Sequence, residues 1–447
     1  MASDRATGET VELLQQLIRN ECVNDGRPES GHEARSADIL QTYLEGAGLD
    51  VARYEPTPGR SSLVARIEGT DPDAPSLCLM GHTDVVPVSP AGWSREPFGG
   101  ELVDGEVWGR GAIDMLNLTS SMAVATKELA RQGWRPKGSL VYFAVADEEA
   151  GGRHGASWMV ANELDAVRAD YVITESGGVS LRGRRGHAIS VTVGEKGTAW
   201  RRLTVKGTPG HGSMPYGADN ALVTAAQVVS RLAAYRPAAS VGDDFRRYVA
   251  ALDIPDELVD ALGDPARVDE AITRLPDART AKFAHACTHT TISPNVARGG
   301  IKTNVIPDTV VLDLDIRTLP GQSQADVARL LDDALGPDLA RKVDVEVLQA
   351  RDASASATDT PIYAAMERAA RQFYPEAYLV PRVTAGGTDA TFFREVGIPA
   401  YGFGLYSSHV TYEDFSSRFH GNDERIDVDS LRLTTMAWLA LCRDFLG

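Results

Sequence analysis

Short apolar runs that end in a histidine or an acidic residue constrain this chain more than any other feature. Leu77–Met80 is such a run and leads into His82, and similar runs precede Glu148 and Glu175. Apolar runs of this length between turn signals are typical of buried strands. Amphipathic helical stretches such as 11–18 alternate with them. This alternation predicts an α/β sheet with helices on both faces.

A different pattern begins near residue 197. Apolar and charged residues alternate over 312–317, as in a half-buried strand, and helical stretches follow. This pattern predicts an inserted α+β domain with helices on one face of its sheet. The small polar segment 351–361 is typical of a crossing between domains. The predicted boundaries are 1–196 for the first part of a catalytic domain, 197–350 for the inserted domain with a helical insertion at about 240–285, and 351–447 for the second part of the catalytic domain.

Charge and cysteine content exclude several classes of protein. The formal net charge is −17, which argues against sequence-independent nucleic-acid binding and against anionic membranes. No stretch approaches the roughly 18 apolar residues of a membrane span, and the first 20 residues contain no apolar signal core. The four cysteines include no C-x-x-C pair, so neither a zinc knuckle nor a redox motif is indicated. These observations predict a cytoplasmic protein without nucleic-acid or membrane partners.

The acidic residues at the predicted strand ends and turns are expected to share one crevice, because strand ends line the ligand crevice of open α/β sheets. So many carboxylates in one place repel one another unless cations neutralise them. Carboxylates combined with imidazole are a ligand set suited to zinc. Each residue alone also fits a helix cap, a solvated face or a strand-end turn, so only their joint occurrence favours a metal. The residues concerned are His82, Asp84, Asp114, Glu148, Glu149 and Glu175.

Eight motifs carry a family resemblance over nearly the whole chain. In order they are MGHTDVVP, GRGAIDM, ADEEAGGRHGA, TESG, GTPGHGSMP, TNVIPDTVVLDLDIRTLPGQ, GGTDATFF and FHGNDE. Together they resemble the dizinc metallopeptidase family of aminoacylase-1, acetylornithine deacetylase, succinyl-diaminopimelate desuccinylase and carboxypeptidase G. The resemblance implies an α/β fold in which a mixed-sheet catalytic domain, with helices on both faces, carries an inserted α+β lid and dimerisation domain. It also implies a homodimer.

The resemblance implies two Zn²⁺ ions per chain, with Co²⁺ or Mn²⁺ as substitutes. Asp114 would bridge the two ions. His82 and Glu175 would complete the ligands of one ion, and Glu149 and His420 those of the other.

The same resemblance assigns catalytic roles near the metal. Glu148 would be the general base, and Asp84 would hold the His82 imidazole in one tautomer. Alternate side chains of an extended backbone point opposite ways, which would let Glu148 and Glu149 divide the base and ligand roles.

Residues of the inserted domain are implied to contact the substrate. His211 would reach across the dimer to stabilise the oxyanion, although a structural turn histidine is the alternative. Asn304 and Arg317 match substrate-contact positions, and Arg317 would suit a substrate carboxylate unless it is an ordinary strand arginine. Gly387 and Thr388 in AGGTDA would line the pocket with backbone amides.

The implied reaction is cleavage of an amide bond of a small substrate, an N-acyl amino acid or a short peptide, by a metal-bound hydroxide. A dipeptidase or aminopeptidase of the same family is the alternative, and a non-catalytic metal-binding homologue is a third. GRGAID lacks the third glycine of a dinucleotide-binding turn, and no G-x-S-x-G of a serine hydrolase occurs.

Overall fold

The structure is a computed structural model that describes residues 2–447. The helices of the first part of the chain are α1 Ala2–Arg19, α2 Ala34–Glu45, α3 Leu116–Arg131, α4 Ala156–Asn162 and α5 Leu164–Val167. Its strands are β1 Val51–Thr57, β2 Arg60–Ile67, β3 Leu77–His82, β4 Glu101–Val103, β5 Glu106–Trp108, β6 Leu140–Val145, β7 Tyr171–Thr174, β8 Ser180–Leu181 and β9 His187–Glu195. Short 3₁₀ turns lie at Pro90–Gly92 and Glu148–Ala150.

The central and last parts of the chain contain further helices and strands. The strands are β10 Gly197–Thr198, β11 Arg201–Lys206, β12 Gly210–His211, β13 Thr291–Gly299, β14 Val305–Ile306, β15 Thr309–Thr318, β16 Val343–Val347, β17 Ser354–Ala355, β18 Ala377–Thr384, β19 Ala400–Gly402 and β20 Arg425–Asp427. The helices are α6 Ala221–Ala234, α7 Asp243–Ala251, α8 Asp256–Leu262, α9 Val268–Thr273, α10 Ala278–Thr288, α11 Gln324–Ala340, α12 Pro361–Arg371, α13 Ala390–Glu395, α14 Tyr412–Arg418 and α15 Val428–Leu446.

A large mixed sheet positions the candidate site. Its strand order is β1-β2-β6-β3-β7-β19-β9-β17, and β8 and β18 also pair with β9. β3 runs parallel to β6 and β7, whereas β1 and β2 are antiparallel. Leu77 and Leu79 of β3 pack into one apolar cluster with α1, α3 and α15, and Cys78 and Met80 pack into another with α4 and α13. Burial on both faces explains why β3 is an unbroken apolar run, and the predicted mixed sheet with helices on both faces is confirmed.

A second sheet is built from residues of the central part of the chain. Its order is β10-β15-β11-β16, with β13 also paired to β15. Leu312, Leu314 and Ile316 of β15 are buried against α6 and α11, as the alternation predicts. Ser323 caps α11 in a capping box with Asp326. The domain boundaries given above stay a prediction.

The segment predicted as a helical insertion contains α7 to α10. These helices share an apolar cluster that includes Leu181, Ala188 and Val380 of the large sheet. The insertion therefore packs on the edge of the large sheet beside β8, β9 and β18. Among the helices of residues 2–447, none combines the length and the apolar content that a membrane crossing needs.

Candidate metal centre

The ends of three parallel strands bring the predicted ligands to one edge of the large sheet. His82 is the last residue of β3, Glu175 follows β7, and Glu148 lies just after β6. Parallel strands end at the same edge, so these side chains meet there. Asp114 comes from the turn before α3, and His420 from the turn after α14.

Asp114 lies at the centre of the cluster. Its Oδ1 is 3.2 Å from His82 Nε2, and its Oδ2 is 2.8 Å from His420 Nε2. His82 Nε2 also lies 3.9 Å from Glu175 Oε1, and His420 Nε2 lies 3.4 Å from Glu149 Oε2. Ligand atoms within 4.8 Å of one another form a His82–Asp114–Glu175 group and an Asp114–Glu149–His420 group. Asp114 is common to both groups.

Burial raises the pKa of three carboxylates of the cluster, those of Glu148, Glu149 and Glu175, whereas at Asp114 hydrogen bonds with His420 and His82 outweigh burial and lower the pKa. Burial raises the pKa of Glu148 and of Glu175 well above the ordinary range, and neighbouring acids raise both further. Burial and the nearby Asp114 carboxylate raise the pKa of Glu149 to about 7. Negative charge is therefore unfavourable here without a balancing cation.

The imidazoles of His82 and His420, when protonated, balance part of the negative charge of these carboxylates. Hydrogen bonds with Asp114 and Glu149 raise the pKa of His420 to about 10. Burial opposes protonation of His82, but Asp114 and Glu175 outweigh it and raise the His82 pKa. Within residues 2–447, Glu149 Oε1 is buried without a hydrogen-bond partner. An orphaned carboxylate oxygen beside protonated imidazoles fits a site in which divalent cations replace the protons, so the donor set fits the implied metals.

Asp84 holds His82 through its backbone. His82 Nδ1 lies 2.9 Å from the Asp84 carbonyl oxygen and 3.6 Å from the Asp84 carboxylate. Donation from Nδ1 leaves Nε2 free as a ligand atom. The Asp84 carboxylate instead accepts hydrogen bonds from Asn24 Nδ2 at 2.8 Å and from the backbone N–H groups of Glu149 at 3.1 Å and Glu148 at 3.3 Å.

The adjacent glutamates lie in a turn, not in the extended backbone that was expected. Asp147 has φ 69°, in the left-handed region, so the extended backbone of β6 does not continue through it. Glu148–Ala150 then form a 3₁₀ turn. Ligand atoms of Glu148, Glu149 and His82 lie within 4.8 Å of one another. Both carboxylates therefore face the cluster, and their division of roles stays a prediction.

A buried polar network behind this turn was not predicted. Arg60 Nη1 donates to Glu33 Oε1 at 2.8 Å, and Arg60 Nη2 donates to Asn24 Oδ1 at 3.2 Å. Glu33 Oε1 accepts the backbone N–H of Asp147 at 3.1 Å, and Asn24 Nδ2 donates to Asp147 Oδ1 at 3.1 Å. Burial, with the Asp84 carboxylate, raises the pKa of Glu33 to about 8. The members come from distant segments, so no local sequence signal indicates the network.

A buried ion pair that was also not predicted, Arg110 with Glu424, holds the backbone of Asp114. Glu424 Oε1 accepts the backbone N–H groups of Ile113 at 2.7 Å and Asp114 at 3.0 Å, and Glu424 Oε2 pairs with Arg110 Nη1 at 2.7 Å. Arg110 and Glu424 are both buried. They belong to the motifs GRGAIDM and FHGNDE, so the signal was present in the sequence.

Two predicted substrate residues lie on a small ribbon apart from the cluster. His211 belongs to β12, which pairs with β14, and the Gly212 N–H donates to the Asn304 carbonyl at 2.9 Å. His211 Nδ1 is 2.8 Å from Ser213 Oγ. Both His211 and Asn304 are exposed. Across residues 2–447, neither makes a hydrogen bond or ion pair with the predicted metal ligands.

The other predicted substrate residues have partners within the chain. Arg317 Nε and Nη2 contact the two carboxylate oxygens of Asp315 at 2.7 and 3.3 Å. The Thr388 N–H and hydroxyl donate to Glu195 at 2.8 and 2.6 Å. Gly387 beside it is exposed. Glu195 thus anchors the Gly387–Thr388 turn.

Residues 78–444 match the family model described as Peptidase family M20/M25/M40. The chain is 25% identical over 456 residues to N-fatty-acyl-amino acid synthase/hydrolase PM20D1 of Xenopus tropicalis, covering 99% of this chain and 87% of the relative. It is 27% identical over 441 residues to a succinyl-diaminopimelate desuccinylase of Cereibacter sphaeroides, with 97% and 98% covered. It is also 27% identical over 428 residues to aminoacylase-1 of Sus scrofa, with 94% and 93% covered.

Solved structures share the fold. An M20 family metallo-carboxypeptidase from Sulfolobus solfataricus superposes with a TM-score of 0.76 at 20% identity, over 98% of this chain and 99% of that one. A Bacillus subtilis protein described as a dinuclear metal binding peptidase from the M20 family gives a TM-score of 0.58 at 15% identity, over 98% and 99%. The chain therefore belongs to peptidase family M20/M25/M40 and is a hydrolytic enzyme that acts on amide bonds, as its motifs predict.

Proposed function

We propose that this chain is a zinc-dependent hydrolase that cleaves the amide bond of N-acyl amino acids or short peptides. The observation that carries the proposal is the pair of ligand groups that share the buried Asp114, with the Glu148 carboxylate beside them. The named activities of PM20D1 and aminoacylase-1 support an N-acyl amino acid as substrate.

The geometry supports two ions per chain with the ligand division that the resemblance implies. We assign His82 and Glu175 to one ion, Glu149 and His420 to the other, and Asp114 to both. The two groups of ligand atoms in the structure have the same membership. Imidazole and carboxylate ligands suit Zn²⁺, and Co²⁺ or Mn²⁺ would fit the same donors. Bound Zn²⁺ lowers the pKa of water toward about 7 and polarises a carbonyl.

The residues around the ions would handle the proton and the substrate. The Glu148 carboxylate would take a proton from the attacking water and deliver it to the leaving nitrogen, so that water adds across the C–N bond. His211 would donate a hydrogen bond to the oxyanion. Asn304, Arg317, Gly387 and Thr388 would contact the substrate.

We propose a homodimer in which His211 comes from the partner. His211 is exposed and does not reach the metal ligands of its own chain within residues 2–447. Large apolar side chains on α6 and in loops of the central part of the chain are also exposed, as in a protein interface. They are Leu222, Val223, Met214, Tyr216 and Ile301.

Metal removal and a substrate panel test the function. The purified protein should lose hydrolysis of N-acyl amino acids after chelation and regain it with Zn²⁺, Co²⁺ or Mn²⁺. Turnover of dipeptides alone would favour the peptidase alternative. Metal binding without turnover of either panel would favour a non-catalytic homologue, and full activity in metal-free protein would contradict the mechanism.

A further inference from the structure

Two hydrogen-bonded arms converge on residues Asp147, Glu148 and Glu149, which we name the glutamate turn. In the first arm, Glu33 Oε1 accepts the Asp147 N–H at 3.1 Å. In the second arm, the Asp84 carboxylate accepts the N–H groups of Glu149 at 3.1 Å and Glu148 at 3.3 Å. Three successive backbone donors of the turn are thus held by side chains from two distant segments of the chain.

Arg60 joins the two arms. Its Nη1 donates to Glu33 Oε1 at 2.8 Å, and its Nη2 donates to Asn24 Oδ1 at 3.2 Å. Asn24 Nδ2 in turn donates to Asp84 Oδ2 at 2.8 Å. One guanidinium therefore holds the acceptor of the first arm directly and the acceptor of the second arm through one amide. The guanidinium suits this task, because its donors form a rigid planar fork.

The arms hold Asp147 in a backbone conformation that side chains adopt infrequently. Its φ is 69°, in the left-handed region, and such a conformation persists where the surrounding structure over-determines it. The carboxylate is held as well, since Asn24 Nδ2 donates to Oδ1 at 3.1 Å and the His154 N–H donates to Oδ2 at 2.8 Å. Arg60 Nη1 lies 3.4 Å from Oδ1. This conformation turns the chain out of the preceding strand directly before the two glutamates.

Arg60 also supplies positive charge to this group. Within residues 2–447 it is the only lysine or arginine that forms an ion pair with Glu33 or Asp147, and all three residues are buried. An unpaired charge at such a depth is costly. Gly31 packs over the pair with φ 91°, and a Cβ at this position would overlap the Arg60 guanidinium and the Glu33 carboxylate. The guanidinium is therefore confined beside its partners.

We propose that Arg60 is a positioning residue. Through Glu33 and Asn24 it holds the glutamate turn in the conformation that presents the Glu148 and Glu149 carboxylates to the metal cluster. This inference rests on the proposed function and deepens it, since it names the residue that supports the proposed base and one proposed ligand. Glu149 belongs to one of the two proposed ligand groups, so loss of Arg60 should weaken the binding of that ion most.

Three variants and one control separate positioning from stability. The double variant Arg60→Met with Glu33→Leu replaces a buried ion pair by apolar side chains, a change that is often neutral for folding. Glu33→Gln keeps an oxygen that accepts from Asp147 and Arg60 and loses only the charge. Arg60→Lys keeps the charge and loses the fork. Leu129→Ala is the control, because it leaves a cavity in the core about 20 Å along α3 from the helix start beside Asp114.

Amide hydrogen exchange of the metal-free protein reports on the turn directly. The N–H groups of residues 147–149 should exchange at least about 10-fold faster in the double variant than in wild type, because the Asp147 N–H loses its acceptor and the Asp84 carboxylate loses part of its support. Glu33→Gln and Leu129→Ala should exchange like wild type in this segment. Unchanged exchange in the double variant would overturn the proposal. Exchange in Glu33→Gln as fast as in the double variant would also overturn it, since charge and not position would then hold the turn.

Metal affinity and kinetics measure what the positioning does. By chelator competition with Zn²⁺, the double variant should raise the Kd of one of the two ions about 10- to 100-fold, as for other groups that orient ligands. Its kcat for N-acetylalanine should fall about 10²-fold with little change in KM, because the Glu148 carboxylate is misplaced. Glu33→Gln should stay close to wild type, and Arg60→Lys should be intermediate.

The outcomes distinguish failure of this inference from failure of the function. A Kd and a kcat in the double variant equal to those of Leu129→Ala would overturn the inference and leave the hydrolase function standing. A wild type that binds two ions but hydrolyses no N-acyl amino acid or dipeptide would contradict the proposed function. The Kd of the double variant would then still decide whether Arg60 positions the glutamate turn.

Discussion

The metal centre and the ribbon that carries His211 were inferred from the same set of motifs, yet they differ in the folded chain. The proposed metal ligands come from five separate segments and meet in one cluster, mostly buried, within a single chain. His211 is exposed, and its side chain contacts Ser213. Motif residues that converge within one chain can form their part of a site without a partner. A motif residue that stays exposed and apart from them, such as His211, is expected to act in the site of another subunit. The predictions below test this contrast.

The largest effect is expected from Glu148, the proposed general base in the cluster. Glu148→Gln should lower kcat by at least about 10²–10⁴-fold, because proton transfer is removed, while metal content stays at two ions per chain. Glu149→Gln is the matched variant and should also lose metal. Metal content by elemental analysis, with kcat for an N-acyl amino acid, separates the two. Metal loss in Glu148→Gln and retention in Glu149→Gln would reverse the assignment.

Subunit mixing tests whether the exposed histidine acts across a dimer. His211→Ala should lose about 10²–10³-fold in kcat, as expected for an oxyanion donor, and Glu148→Ala should be nearly inactive. Mixing the two with subunit exchange should restore about a quarter of the wild-type sites, because half the dimers are mixed and each has one site with both residues intact.

The control for mixing is each variant incubated alone under the same exchange conditions. Exchange itself is verified with differently tagged subunits. No recovery despite proven exchange would place His211 in its own subunit's site or make it structural, and the contrast between the two regions would disappear.

Local patterns in the sequence predicted the framework, and the long-range contacts that support it remained hidden. The apolar run in β3, the alternation around Leu314 and the cap at Ser323 each depend on neighbours within a few residues, so they can be recognised in the sequence. The contact between Arg60 and Glu33 joins residues 27 positions apart, and no local pattern records it. The use of the Asp84 backbone carbonyl is invisible for a different reason, since every residue has one.

Glu424, which holds the backbone of the proposed metal ligand Asp114, should have a smaller effect than the ligands themselves, but one that can be measured as metal affinity. Glu424→Gln weakens the contacts to the Asp114 backbone and leaves Arg110 buried without its charge partner. We expect the metal dissociation constant to rise about 10- to 100-fold, as for other groups that orient ligands, measured by chelator competition. Glu106→Gln is the control, because Glu106 pairs with Arg425 at 3.0 Å on the adjoining strands but is not fully buried. Equal dissociation constants for the two variants would show that Glu424 does not hold the metal centre in place.

The smallest effect on activity is expected at Lys196, where the chain passes from the large sheet to the second sheet, because this residue acts on stability. Burial lowers the pKa of Lys196 from 10.5 to about 8, and its Nζ donates to the His289 carbonyl at 2.7 Å. Between these values the unfolded chain binds more protons than the folded one, so the free energy of unfolding rises with pH through this window. The gain in the free energy of unfolding is complete above pH 10.5 and lost as pH falls through 8, and it amounts to about 3 kcal/mol at most.

Urea unfolding at pH 7.5 and 10 should show this rise in the free energy of unfolding of wild type relative to Lys196→Met. The exposed Lys342, paired with Asp219, provides the control variant Lys342→Met, which should follow wild type. If the free energies of unfolding of Lys196→Met and wild type change in parallel with pH, Lys196 is protonated equally in the folded and unfolded chains. Burial would then not lower its pKa.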